Sequence, residues 1–381
     1  MIDTKSMKLN SINIIGVSDS KGNKPKFIGY DKNKENYTNW FLRLLNPEKS
    51  TTKINVNNIN VEYYVNGILV KNISNSEYKN IDFFKIGDEF SKLNDMGVAA
   101  IDLYPNSSKN IIRNCTFDSL QNMEEAGNHI HAVYIATKSS NNKIYSNKFI
   151  NIMPDPVRVR NGSNNNKVYN NIFLNTGMYS YMSEWYNPNT GETSSSENKF
   201  YNNKLSGSWK QASKTFGTIK RFKYNKELTN KNSNELKEYN NINYKISKIK
   251  LKNTKGYMIG DDLLERIALK VTISNGKENI TLDVQDGFEV SPAKVTEIGE
   301  QTIKVKYYGQ TLTQTIHVTD GDKYKVTFGV YSKNKNDVTI LNSSTTYDLN
   351  YKVPTANFKV KNKKKCKFKH WILQRMDTKK I

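Results

Sequence analysis

The chain has 381 residues, a formal net charge of +22 and only 36% hydrophobic residues. That length suggests more than one domain, and no run approaches the roughly 18 apolar residues of a membrane-spanning helix. The two cysteines, Cys115 and Cys366, cannot form a disulfide framework and read as free thiols, while collagen, coiled coil and small disulfide scaffold are excluded.

Met1 to Asn10 lacks the apolar stretch of a secretory signal. From there a six-residue unit recurs: apolar, any, Asn or Ser, a fourth position, any, apolar. It appears at Val56–Val61, Tyr78–Phe83, Ile112–Phe117, Ile144–Phe149, Val168–Phe173 and Phe200–Leu205, with starts 22, 34, 32, 24 and 32 residues apart. An isolated seventh copy fits at Leu9–Ile14. The spacing predicts a unit of about 22 to 24 residues, lengthened in places by loop insertions.

A second short strand precedes most units, around Leu69, Leu103, Ile135 and Val159, each nine residues before the unit. Ile101-Asp102-Leu103, Val133-Tyr134-Ile135 and Val157-Arg158-Val159 alternate with period two, which predicts one buried and one outward face. Equivalent positions one coil apart should stack into apolar columns.

This pattern resembles the right-handed parallel β-helix family, the pectate-lyase-like repeat fold, over about residues 40–205. The resemblance implies an inward asparagine ladder, here Asn147, Asn171 and Asn203, with Cys115, Ile81 and Ile59 on the earlier rungs. The β-helix is expected to span 1–205.

Residues 206–250 are rich in Lys and Asn and read as a basic linker or cap. Only seven of the 58 basic residues are Arg. Residues 206–260 hold 13 basic and 3 acidic residues, and 361–381 hold 9 and 1. Such charge attracts polyanions in general, a wall polymer or acidic polysaccharide among them, but no zinc-finger or RNA-binding motif accompanies it. Specific nucleic-acid binding is therefore not expected.

Alternating strands at Val271–Ile273, Ile280–Leu282, Thr302–Lys306 and Leu312–Ile316 predict a small sandwich. With Tyr257–Asp261, Ser274–Gly276, Ile298–Thr302 and Tyr308–Thr311 they resemble a bacterial Ig-like group 3 domain, placed at 251–319. Tyr324–Phe328, Tyr347–Leu349, Val353-Pro354 and Phe368–Trp371 are similar to the internalin B-repeat, a β-grasp-like module placed at 320–381. The expected fold class is thus all-β: a parallel β-helix, a small Ig-like sandwich and a C-terminal β-grasp-like repeat. These modules imply an extracellular or cell-surface protein. The absence of a visible signal suggests a fragment of a longer chain.

Aligning coils on Leu103, Ile135 and Val159 gives two outward columns: Asp102, Tyr134, Arg158, Glu184, and Tyr104, Ala136, Arg160, Tyr186. His131 and Asp155 sit just before their strands, beside the long insertions Gln121–Ile130 and Asn187–Glu197. The segments His131–Tyr134 and Asp155–Arg160 look like site segments of β-helix polysaccharide lyases and epimerases. Elimination from an acidic sugar polymer needs a cation on the uronate carboxylate, a base and an acid. Arg158 and Arg160 suit the first role, and His131 or Tyr134 the others, with Asp155 in the catalytic set. Asp102, Tyr104, Glu184 and Tyr186 would bind substrate. Packing histidines and an Arg–Asp–Glu ladder that only solubilises the sheet are the structural alternatives. Hydrolysis through Asp102, Asp155 and Glu184 ranks lower, because neighbouring arginines hold carboxylates ionised. A non-catalytic adhesin or wall-binding protein competes with both enzymatic readings. Asp88-Glu89 and Glu124-Glu125 are weak candidates for calcium, no metal ligand set is assigned, and a P-loop or GxGxxG is absent.

Overall fold

The computed structural model describes residues 2–3, 9–31, 34–47, 50–88, 97–122, 129–153, 155–177, 180–207 and 236–320, and beyond these the backbone of strands 323–327, 338–340, 344–348 and 358–360. Cys366, Glu89, Glu124-Glu125, Val353-Pro354 and Phe368–Trp371 lie outside the described residues. By their contacts the residues fall into two compact units, Met1–Lys252 with Ile267–Glu289 and Val305–Leu312, and Asn253–Arg266 with Val290–Lys304 and Thr313–Ile381.

The fold is all-β and its largest part is a parallel β-helix. A seven-stranded parallel sheet runs in the order Ile2–Asp3, Trp40–Leu45, Asn66–Lys71, Ala99–Leu103, His131–Ala136, Val157–Arg160 and Met182–Trp185. A fourteen-stranded sheet supplies the rest of each coil, joined at its centre by the ten-residue strands Lys53–Glu62 and Glu77–Ile86. Beyond them each coil splits into two short strands at a corner. The first residue of that corner is Asn114, Ser146, Asn170, Asn202 and Asn240 in successive coils, all at φ between 54 and 56°. Asparagine tolerates this left-handed backbone better than other side chains. Among the described residues 14 of the 23 non-glycine residues at positive φ are Asn, so the richness in Asn has a structural use at the corners.

The six repeat starts pair in one register: Val56, Tyr78, Ile112, Ile144, Val168 and Phe200 stack inward, one per coil. The last apolar position stacks as well. The Phe83, Phe117, Phe149 and Phe173 rings lie 5.2, 5.1 and 4.6 Å apart and within 8° of parallel. Two sequence expectations need correction. The copy at Leu9–Ile14 is out of phase, because Ile14 rather than Leu9 pairs with Val56, and the chain between Gly16 and Pro25 replaces the usual corner. Gly16 is needed there, since a Cβ would meet the Asn58 carbonyl at 1.9 Å. The helix also continues past 205, into the stretch read as a basic linker or cap. Leu236–Tyr239 pairs with Asn198–Tyr201, and Ile242–Asn243 with Lys204–Leu205. Glu238, which is exposed, hid this coil by standing where the other coils carry an apolar residue.

The expected asparagine ladder is present. Asn147 N–H donates to Asn171 Oδ1, Asn171 to Asn203 and Asn203 to Asn241, at 2.9 to 3.0 Å. Each Nδ2 turns back to the preceding coil, as from Asn171 to the Ile144 carbonyl at 3.0 Å. Cys115, Ile81 and Ile59 are buried on the earlier rungs. A second ladder, Asn110, Asn142, Asn166 and Asn198, runs beside it with N–H to Oδ1 distances of 2.9 Å. Its signal lay in the recurring Ser-x-x-Asn of Ser107–Asn110, Ser139–Asn142, Ser163–Asn166 and Ser195–Asn198. Each amide closes the corner's backbone groups, which would otherwise be buried without partners.

The remaining described strands form separate sheets. Lys245–Leu251, Leu269–Ser274 and Asn279–Val284 make one of three strands, and Tyr257–Met258, Gln310–Thr319, Gly299–Tyr307 and Glu289–Ser291 one of four. Within the first unit Asn151 Nδ2 donates to the Asp286 carbonyl at 3.0 Å and its Oδ1 accepts from the Tyr307 hydroxyl at 3.1 Å. Lys323–Thr327 pairs with Ser344–Asp348, and Val338–Ile340 with Phe358–Val360, both antiparallel. No helix among the described residues is long and apolar enough to cross a membrane.

Candidate functional site

The outer face of the seven-stranded sheet gathers most of the expected residues. Its register runs Leu69, Asp102, Tyr134, Arg158, Ser183, with Ala136, Arg160 and Trp185 in the neighbouring column. Asp102, Tyr134 and Arg158 are therefore stacked as expected. Three positions differ. Val70, not Leu69, pairs with Leu103. Glu184 pairs with Val159, in the apolar column rather than beside Arg158, and its carboxylate accepts the Ser195 N–H. Trp185, not Tyr186, is the neighbour of Arg160. The step from Val159 to the next strand is one residue shorter than assumed, and a one-residue slip exchanges faces. Tyr104 lies just past its strand and is 45% exposed.

His131 shares the outer face with Tyr134 because the backbone is irregular between them. Both Ala132 and Val133 N–H donate to the Pro156 carbonyl at 2.9 Å. The two rings lie 5.6 Å apart and 15° from parallel. His131 Nδ1 sits 2.7 Å from the Asp155 carbonyl, which can only accept, so Nδ1 carries the proton and Nε2 the lone pair. Burial and then the Arg158 cation push its pKa well below the ordinary value, keeping the ring neutral.

Asp155 joins the cluster through both ends. Its Oδ2 accepts from Arg158 Nη2 at 3.1 Å and its Oδ1 from Ser180 N–H at 2.9 Å. Arg158 Nε also donates to Ser183 Oγ at 3.0 Å. Arg160 Nε reaches both Glu192 oxygens at 2.9 and 2.8 Å, its guanidinium lies 3.8 Å from the Trp185 ring centre, and its Nη1 donates to the Tyr134 hydroxyl at 3.2 Å. Both arginines are thus held rigidly by carboxylates, and the Tyr134 proton stays free to donate. Burial raises the Tyr134 pKa, with Arg160 opposing.

Asp102 is 5% exposed, and its buried Oδ1 has no partner. Burial pushes its pKa up to about 8, so it is a neutral acid at pH 7. The expectation that neighbouring arginines hold the carboxylates here ionised fails for Asp102. Beside the cluster, burial followed by Arg158 and Arg160 lowers the His129 pKa, and His129 Nδ1 is buried without a partner. Sequence reasoning missed Ser180, Ser183, Trp185 and Glu192. Only the insertion carrying Glu192 had marked its neighbourhood.

A second surface lies on the fourteen-stranded sheet. Lys143, Lys167, Lys199 and Lys237 pair coil to coil, and two residues on, Tyr145, Tyr169, Tyr201 and Tyr239 do the same. Those tyrosine rings stack 5.1, 5.1 and 4.8 Å apart, within 17° of parallel. Among the described residues no three His, Cys, Asp or Glu come together to hold a metal ion. Comparison with known protein families, curated proteins and solved structures returned no match to this chain.

Proposed function

We propose that the protein is a surface-associated, carbohydrate-active β-helix protein that cleaves acidic polysaccharide by β-elimination on the seven-stranded sheet. The observation that carries the reading is the Asp155 carbonyl on His131 Nδ1, which leaves Nε2 as a fixed, neutral base beside Arg158 and Tyr134. His131 Nε2 takes the proton from the carbon next to the uronate carboxyl. The electron pair left behind forms the double bond as the glycosidic C–O bond breaks, and Tyr134 gives its proton to the departing oxygen. Arg158 and Arg160 oppose the negative charge that develops on the carboxylate. Asp102, neutral at pH 7, donates a hydrogen bond to the bound sugar. The Ig-like and B-repeat-like readings of 251–319 and 320–381 support a cell-surface or extracellular setting.

The test is ultraviolet absorbance of unsaturated uronate after incubation with a panel of acidic polysaccharides, with and without calcium. Wild type gives new absorbance that His131→Gln and Tyr134→Phe lose. A second reading, a non-catalytic adhesin or wall-binding protein, draws on the ion pairs of Arg158 with Asp155 and Arg160 with Glu192, which neutralise the site internally. Silence across the panel with retained pull-down of wall polymer establishes that reading instead.

A further inference from the structure

The lysine and tyrosine ladders of the fourteen-stranded sheet serve neither the core nor the site above. Lys143 and Lys237 are exposed and Lys167 and Lys199 half-buried, while the tyrosine row alongside is half-buried except for Tyr239, which is exposed. Lys143 and Lys167 make no ion pair with any described residue; Lys237 pairs with Glu197, an exposed contact of little strength. Like charges one strand spacing apart, about 4.8 Å, repel one another. Four such lysines in one column therefore cost stability that a bound polyanion returns.

We propose that these two ladders form a docking track for a linear anionic polysaccharide lying along the helix axis. The coil repeat sets one cation and one phenol per strand step, and a pyranose ring is about as long as that step. A polymer with one carboxylate per ring thus meets one lysine per ring, and its hydroxyls meet the tyrosine edges. Burial and the flanking Tyr145 and Tyr201 raise the Tyr169 pKa, so the row stays a row of hydroxyl donors. The same geometry disfavours nucleic acid. The inner ring faces are closed against each other, leaving at most the two end faces of the row for a base to stack on, and duplex charge is far denser, about one per 1.7 Å. The track does not depend on the elimination chemistry proposed for the other sheet.

The experiment measures polygalacturonate binding by affinity electrophoresis and calorimetry, using the full chain. Lys143→Gln combined with Lys167→Gln is expected to weaken binding about tenfold and to flatten its salt dependence. Tyr145→Phe with Tyr169→Phe, which keeps the rings and removes the hydroxyls, weakens it about threefold. Unchanged affinity in the lysine variant overturns the proposal, as does equally tight binding of neutral dextran or of a single-stranded oligonucleotide. Polymer held through the ladders but never cleaved sinks the elimination reading and leaves this one standing. Cleavage by a lysine variant that binds like wild type sinks this one alone.

Discussion

Asn147 Oδ1 accepts the backbone N–H of Cys115 at 2.9 Å, and the Cys115 thiol lies 3.7 Å from the Tyr78 carbonyl and 3.3 Å from the Arg113 carbonyl. The Tyr78 carbonyl is the counterpart of the one Asn147 Nδ2 reaches on the next coil, Ile112 O at 3.0 Å. The thiol is a shorter, weaker stand-in for the amide.

Cys115→Asn should therefore leave the protein as stable as wild type or raise it by about 1 kcal/mol. Asn171→Ala, which strands the Asn147 N–H and the Ile144 carbonyl, should cost about 2–4 kcal/mol. Chemical denaturation of both variants checks the pair. A Cys115→Asn variant as damaged as Asn171→Ala would show that the rung cannot hold an amide.

Asp102 gives a pH signature. Its folded pKa, about 8, lies above an unfolded value of about 3.9. The folded chain keeps a proton that the unfolded chain has lost, so stability is greatest below about pH 4 for this group and falls as pH rises to about 8. The full effect is on the order of 5 to 6 kcal/mol. Asp102→Asn removes it, so the loss of melting temperature between pH 5 and pH 8 should be smaller in the variant. Parallel melting curves would contradict the buried, unpartnered carboxyl.

His131 predicts the form of the activity profile. A base with an ordinary histidine pKa gives an acid limb near about 6.5. Burial and Arg158 depress this one, so its proton binds only at lower pH and the acid limb of kcat/KM should lie well to the acid side of that ordinary position. An acid limb at the ordinary position would point to a different base.

Glu192→Gln tests the internal neutralisation of Arg160. With the bidentate pair weakened, Arg160 becomes available to a bound carboxylate, and affinity for acidic polymer should rise by about two- to fivefold. A fall in affinity would show that Glu192 holds Arg160 in its binding position.

Much of the β-helix was legible because its signal is a repeated apolar position. Val56 to Phe200 align by sequence alone, and the same alignment placed Asn147, Asn171 and Asn203 on one ladder. It failed where a coil breaks that rule. Glu238 stands in an apolar slot, Gly16 to Pro25 replace a corner, and the short step to Met182 shifted Glu184 and Tyr186 by one residue. In the site, Tyr134, Arg158 and Arg160 were found because their strands alternate, and His131 because it sits at the start of its strand beside a long insertion. The partners that set their chemistry were not, since Ser180, Glu192 and the Asp155 carbonyl come from turns and backbone atoms that carry no periodicity.

The corners have a consequence for how this chain can change. At each of these corners a left-handed residue, Ser146, Asn170, Asn202 or Asn240, is followed by a ladder asparagine whose amide bonds to the adjacent coils, and the ladders bond only to adjacent coils. Among the coils that carry both asparagine rungs, a whole coil can thus be duplicated or deleted as a cassette, whereas a single-residue insertion within a strand throws every side chain beyond it onto the wrong face. The long loops take up length without that penalty. The sequence is consequently free to drift in loop length and coil number, and tightly held at a few asparagines per turn.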